Sequence, residues 1–117
     1  MTTDSRTREV APDITVVELA GRLLTGTSLR SVEFAIQKLL EAGRRKIVLD
    51  LSNVDFLDSS AVGMLIVSSA QTRKLGGRMR IAGARSRVAD LFAIVHLDQV
   101  ADLSPDVATA CNQLQAA

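Results

Sequence analysis

Apolar and polar positions along the 117-residue chain fall into short blocks that alternate between two periods. Ile14-Thr15-Val16-Val17-Glu18-Leu19 is rich in β-branched residues and reads as a strand stopped by Gly21. From Leu29 to about Ala42 the period is helical: Leu29, Val32, Ile36, Leu39 and Leu40 form one stripe, with Glu33, Gln37 and Lys38 off it. Gly43 stands where a helix C-terminal cap is expected, and Phe34 falls on the side opposite the stripe. Lys46-Ile47-Val48-Leu49-Asp50-Leu51 is a nearly unbroken apolar run, the pattern of a covered central parallel strand. A connection, Ser52 to Leu57, leads to Asp58-Ser59-Ser60 and a second helix reaching about Leu75. Val62, Leu65, Ile66 and Ser69 mark its core side, while Met64, Val67 and Leu75 occupy the other. Apolar nearly all round, it is expected to be the central helix of its layer.

Gly76-Gly77 breaks the chain before a strand over Arg78-Met79-Arg80-Ile81-Ala82. Ser86 is placed to cap a short helix through Val88, Leu91, Phe92 and Val95, and Gln99 to Leu103 forms a weak strand. Ser104-Pro105-Asp106 reads as a helix start, with Ser104 as the capping hydroxyl, and Val107, Ala110, Cys111 and Leu114 follow at core spacing. The first dozen residues are polar and end at Pro12-Asp13; part is expected to form an edge strand and part to fray. Strands alternating with helices imply one α/β sandwich, and right-handed crossovers put the helices mostly on one side of the sheet. The strand order does not follow from the pattern.

Composition narrows the function. Three Phe with no Trp or Tyr leave little to stack on bases or sugars, and a net charge of +1 does not point to nucleic acid. The basic residues at 44–46, 73–74, 85 and 87 read as solvated faces and helix ends. Cys111 is alone, so neither an intrachain disulfide nor a metal cluster is expected. No signal-peptide pattern or run of membrane-spanning length is present, which gives the expectation of a cytoplasmic protein.

Chemistry concentrates at Phe56-Leu57-Asp58-Ser59-Ser60-Ala61-Val62-Gly63. An acid and two hydroxyls stand where a loop becomes a helix, so the first backbone N–H groups lack intrahelical partners and the dipole's positive end points outward. The plain reading is that Asp58 or Ser59 caps the helix. The same geometry suits a phosphate, which adds roughly two negative charges to a serine and would spoil a partner surface built for a neutral hydroxyl.

The strand Val48-Leu49-Asp50-Leu51, the segment Asp58-Ser59-Ser60-Ala61-Val62-Gly63, the pair Gly76-Gly77, and Val88-Ala89-Asp90-Leu91-Phe92-Ala93-Ile94 together resemble STAS domains, from about Ile14 to the C-terminus. The resemblance implies a single STAS domain over residues 1–117, with a mixed sheet of four or five strands and about four helices packed mainly on one side. Among the anti-sigma factor antagonists of that family, the unphosphorylated protein binds an anti-sigma factor that is also a serine kinase and so releases a sigma factor. The kinase inactivates it by phosphorylating the serine after the motif's aspartate, here Ser59, and a PP2C-type phosphatase resets it. Thr25, Asp58, Ser59, Ser60 and Met64 are the partner-binding residues this implies, in a monomer or weak homodimer with no cofactor, no nucleic acid and no membrane partner. Leu24 stands where many members carry an aspartate, Ala61 where glycine is frequent, and His96 where a glycine commonly follows the third helix.

STAS domains also serve as scaffold subunits of stress-signalling complexes and as regulatory partners of transport ATPases. For such a role Phe34, with Met64 and Val67, would supply the contact surface. Enzymatic readings fare worse. His96 is the sole histidine, no Gly-x-Ser-x-Gly elbow precedes a helix, and no phosphate-binding Gly-x-x-x-x-Gly-Lys loop is present. A response-regulator receiver needs an acidic pair after the first strand to hold magnesium, where this chain reads Leu19-Ala20-Gly21-Arg22.

Overall fold

The computed structural model describes residues 4–11 and 13–115. In chain order the elements are β1 (Asp4–Ala11), β2 (Ile14–Leu23), α1 (Thr27–Glu41), β3 (Lys46–Leu57), α2 (Ser59–Lys74), β4 (Arg78–Ala82), α3 (Ser86–Ile94), a 3-10 turn (Leu97–Gln99), β5 (Asp102–Ser104) and α4 (Val107–Gln115). The five strands form one sheet in the order β1-β2-β3-β4-β5. β1 runs antiparallel to β2 at the edge, and β2 to β5 are parallel. Because spatial order follows chain order, each crossover has the same sense, and α1, α2 and α3 fall on one face. The edge-strand expectation for the N-terminal segment holds over Asp4–Ala11, while its first three residues and Pro12 lie outside the described residues.

Alternation along the strands splits the interior in two. Val17, Leu19, Ile47, Leu49, Leu51, Met79 and Ile81 meet the three-helix layer in a continuous buried cluster. Ile14, Val16, Val48 and Ala82 point to the opposite face, where Ala110 and Leu114 of α4 cover them. The second cluster needs only one helix because so few apolar residues face that way. In α1 the predicted stripe is buried at Leu29, Val32, Ile36 and Leu40, and Phe34 is 63% exposed. Its end is a Schellman turn: Gly43 has φ +85, its N–H donates to Leu40 O at 3.1 Å, and Arg44 N–H donates to Leu39 O at 2.9 Å.

Several elements differ from expectation. Gly21, at φ +91, does not stop β2, which continues to Leu23. Residues 52–57 are not a loop but the second half of β3. The ladder explains why they did not read as strand. Glu18 faces Asp50 but Ala20 faces Asn53, and Gly21 faces Val54 but Arg22 faces Phe56. β3 thus holds an extra residue at each of two β-bulges. Its inward residues recur every third position, at Leu51, Val54 and Leu57, where a regular strand would have every second.

Ser86 is the first residue of α3, at φ +52, and its side chain does not cap; the N-cap is Arg85. Ser104 does not cap α4 either. Its hydroxyl accepts from Arg80 Nε at 2.7 Å and donates to Gln113 Oε1 at 2.6 Å, while Asp106 Oδ1 takes the Thr109 N–H at 2.7 Å. The weak strand expected over residues 99–103 is the 3-10 turn followed by a strand at Asp102–Ser104. His96 takes the left-handed conformation, φ 54 and ψ 46, between α3 and that turn.

Thr15, 3% exposed on β2, buries a hydroxyl that has no hydrogen-bond partner among the described residues. An unsatisfied buried donor costs more than an apolar group of the same shape. Thr15→Val is expected to stabilise the fold by about 1 kcal/mol, read as a rise in the urea midpoint at constant slope.

Candidate functional site

The paired ends of β2 and β3 create the site. Leu23 and Leu57 are register partners, both buried, and the Asp58 N–H donates to Leu23 O at 3.2 Å. The chain after each strand therefore emerges at the same place, at the carboxyl edge of a parallel sheet, where open α/β sheets present their ligand-binding loops. From β2 comes Leu24-Thr25-Gly26, and from β3 comes Asp58 with the first turn of α2.

Asp58 joins the two. Its backbone is extended (φ −96, ψ 179), as an N-cap requires. Oδ1 accepts the Ala61 N–H at 2.9 Å, satisfying one of the unpaired donors at the start of α2. Oδ2 accepts both the Thr25 N–H at 2.9 Å and the Thr25 hydroxyl at 3.0 Å. Donation from the Thr25 backbone, and then from the Ala61 backbone, holds the Asp58 carboxyl below the usual aspartate range.

With Asp58 as the cap, Ser59 occupies the first helical position and Ser60 the second, both exposed. Thr25 is exposed beside them. The structure thus brings Thr25, Asp58, Ser59 and Ser60 together. Met64 does not join them: it is 5% exposed, packed in the main core, and its Sδ accepts from the Ser68 hydroxyl at 3.5 Å. The phase of α2 explains this, since Ala61, Val62, Met64, Leu65, Ser68, Ser69 and Thr72 all lie inward. The outward side carries Ser59, Ser60, Gly63 and Val67, the last 64% exposed.

Two residues of the Phe56–Gly63 segment show features that the sequence pattern does not carry. A Cβ at Gly63 would meet nothing within 4 Å, so packing within the chain does not require glycine there, although glycine lowers helix stability. Phe56 is 38% exposed just before the site, with the Arg22 guanidinium 5.3 Å from its ring centre. Neither shows as periodicity: Gly63 lies within a helical pattern and Phe56 follows a bulge. No group of three or more metal-ligating side chains occurs among the described residues. Among them, too, no helix is long and apolar enough to cross a membrane.

Asp58→Ala is expected to cost about 1–2 kcal/mol at neutral pH through loss of the cap. The pH dependence has a definite sign. The folded-state pKa lies below the unperturbed 3.8, so the stabilisation is complete above that value and is lost as pH falls through the folded-state pKa. Urea denaturation across the acid range should show the stability gap between wild type and Asp58→Ala narrowing as Asp58 becomes protonated. A gap constant down to the most acidic conditions would show that the carboxylate charge does not contribute.

The sequence profile of the STAS domain matches residues 5–110. A candidate anti-sigma factor antagonist of Thermotoga neapolitana, the TM1081 homolog, is 24% identical over 83 residues, spanning 71% of this chain and 74% of that protein. The structure superposes on an anti-sigma factor antagonist from Mycobacterium paratuberculosis with a TM-score of 0.86, at 19% identity over 97% of this chain and 95% of the other. It also matches the anti-sigma factor antagonist SpoIIAA in its unphosphorylated form, with a TM-score of 0.76 at 16% identity over 97% of this chain and 100% of that one. For the phosphorylated form of the Bacillus cell fate determinant SpoIIAA the TM-score is 0.68, at 17% identity over 87% and 92%. The mixed five-stranded sheet and its helices are those of these neighbours, and the matched profile spans nearly the whole molecule: the chain belongs to the STAS domain family.

Proposed function

We propose that this protein is a cytoplasmic anti-sigma factor antagonist, switched by phosphorylation at Ser59. In its unphosphorylated form the surface at Thr25, Asp58, Ser59 and Ser60 binds an anti-sigma factor that is itself a serine kinase, releasing a sigma factor. Phosphorylation of Ser59 by that kinase ends the interaction, and a PP2C-type phosphatase restores it. The role is one of binding and carries no catalytic residue of its own.

One observation carries this reading. Asp58, not Ser59, caps α2, so the fold leaves the Ser59 hydroxyl at an exposed first-turn position. A phosphate there meets the positive end of the helix dipole, which favours it, and the neighbouring Asp58 carboxylate, which already takes the Ala61 N–H and repels it. A partner surface fitted to a neutral hydroxyl loses that fit when about two negative charges arrive. The switch therefore needs no rearrangement of the sheet or helices. Similarity to antagonists, including one known in both unphosphorylated and phosphorylated forms, supports the assignment.

The competing role within the family is a scaffold or a regulatory subunit of a stress-signalling complex or transport ATPase. The exposed Phe34 side chain, with Lys38 Nζ 5.2 Å from its ring centre, favours that role over the switch only if Ser59 proves irrelevant to binding.

Titration calorimetry with the anti-sigma factor kinase of the source organism separates the two. Ser59→Ala should bind within about threefold of wild type, while Ser59→Asp should bind at least about tenfold more weakly, a loss of about 1.4 kcal/mol. Equal affinity of Ser59→Asp and wild type would refute the switch and leave the scaffold role.

A further inference from the structure

Away from Ser59, a polar cavity of about 270 Å³ lies between the final turns of α2 and the starts of β4 and β5, lined by Ser69, Arg73, Gly77, Arg78, Met79 and Asp102. Ser69 is 2% exposed and its hydroxyl makes no hydrogen bond among the described residues, but it is not among the fully buried unpartnered atoms, of which Thr15 Oγ1 is the one found there, so it keeps some access to solvent. Its neighbours differ: the Ser68 hydroxyl donates to Met64 Sδ at 3.5 Å and the Thr72 hydroxyl to Ser68 O at 2.8 Å. The opening available to the Ser69 hydroxyl is this cavity.

The charged groups around it are also uncommitted. Among the described residues, Arg73, Arg78 and Asp102 take part in no salt bridge. Ser69 and Arg73 are one helical turn apart, so they share a face of α2. Gly77, beside the cavity, lies against the Arg45 backbone, where a Cβ would overlap the Arg45 carbonyl. Two arginines and one aspartate sum to one positive charge, which a monoanion neutralises. The negative end of the α2 dipole, roughly half a charge, is outweighed by the arginines.

We propose that this cavity binds a small hydroxy acid. The carboxylate is held by the Arg73 guanidinium, whose fork matches carboxylate geometry, and by donation from the Ser69 hydroxyl. Arg78 completes the charge balance. Asp102, an acceptor when ionised, takes the ligand's own hydroxyl as donor. A carboxylate without a hydroxyl leaves Asp102 facing it unpaired, and a neutral polyol leaves the arginines uncompensated, so the site discriminates against both. The volume falls just below the roughly 300–1,000 Å³ of pockets for drug-sized ligands, so a hydroxy acid of a few carbons fits within it.

The test is a ¹H–¹⁵N correlation titration of the full chain with glycerate, propionate and glycerol in turn. Glycerate should give saturable millimolar shifts at the Ser69, Arg73, Gly77 and Asp102 amides. Propionate should bind about tenfold more weakly, and glycerol should leave these amides unmoved. Ser69→Ala removes a single oxygen and Arg73→Gln alters a surface side chain, so both should keep the wild-type spectrum elsewhere while weakening glycerate about tenfold. The proposal is overturned if glycerate gives no saturable shift at these amides, which would mean that water alone satisfies Ser69. It is equally overturned if glycerate and propionate bind alike, or if Ser69→Ala binds as wild type does.

Discussion

The Asp58 carboxylate is the contact on which the presentation of the site depends. One oxygen terminates α2 through Ala61, and the other gathers the loop after β2 through the backbone and hydroxyl of Thr25. Two segments separated by 33 positions in sequence are thereby fixed to each other at the edge of the sheet. The cap also frees Ser59. In the proposed switch, a serine hydroxyl that satisfied the helix N-terminus would lose a structural hydrogen bond on phosphorylation and couple the switch to unfolding. With the aspartate in that role, the Ser59 hydroxyl is not needed to hold the start of the helix.

What brings Asp58 and Thr25 within reach is the parallel pairing of β2 with an irregular β3. Two bulges lengthen β3 so that Leu57 ends level with Leu23. Both side chains enter the core of the three-helix layer, and their burial anchors the loops that follow. Sequential strand order does the rest, because α1, α2 and α3 share one face and leave the N-terminus of α2 beside the loop preceding α1. Hydrophobic burial sets the positions of the strands; three polar contacts to one carboxylate set the detail of the surface.

Most of the architecture was legible because the sequence keeps a clear period. The α1 stripe, the run over 46–51 and the alternation of β4 each appear where the pattern puts them. The bulged half of β3 was not legible: a three-residue repeat at Leu51, Val54 and Leu57 satisfies neither the strand nor the helix template. Residue type alone does not fix a cap: Ser86 and Ser104 have the right hydroxyls, but the geometry gives the positions to Arg85 and Asp106. At the site, the Asp58-Ser59-Ser60 triplet announced the helix start, and the resemblance to STAS domains singled out its serine. The bond between Thr25 and Asp58 is a tertiary event with no local signal. Met64 was misplaced because an almost uniformly apolar helix gives no reliable direction for its faces, and the exposed strip through Gly63 and Val67 shows only once α2 is packed.

The most direct measurement is site-mapped intact-mass analysis of the full chain after incubation with ATP and lysate of its source organism. A related antagonist added to the same lysate serves as the control for kinase activity. The account predicts one added phosphate, located at Ser59 and absent from Ser59→Ala. An unmodified protein beside a phosphorylated control, or a phosphate that persists in Ser59→Ala, would contradict it.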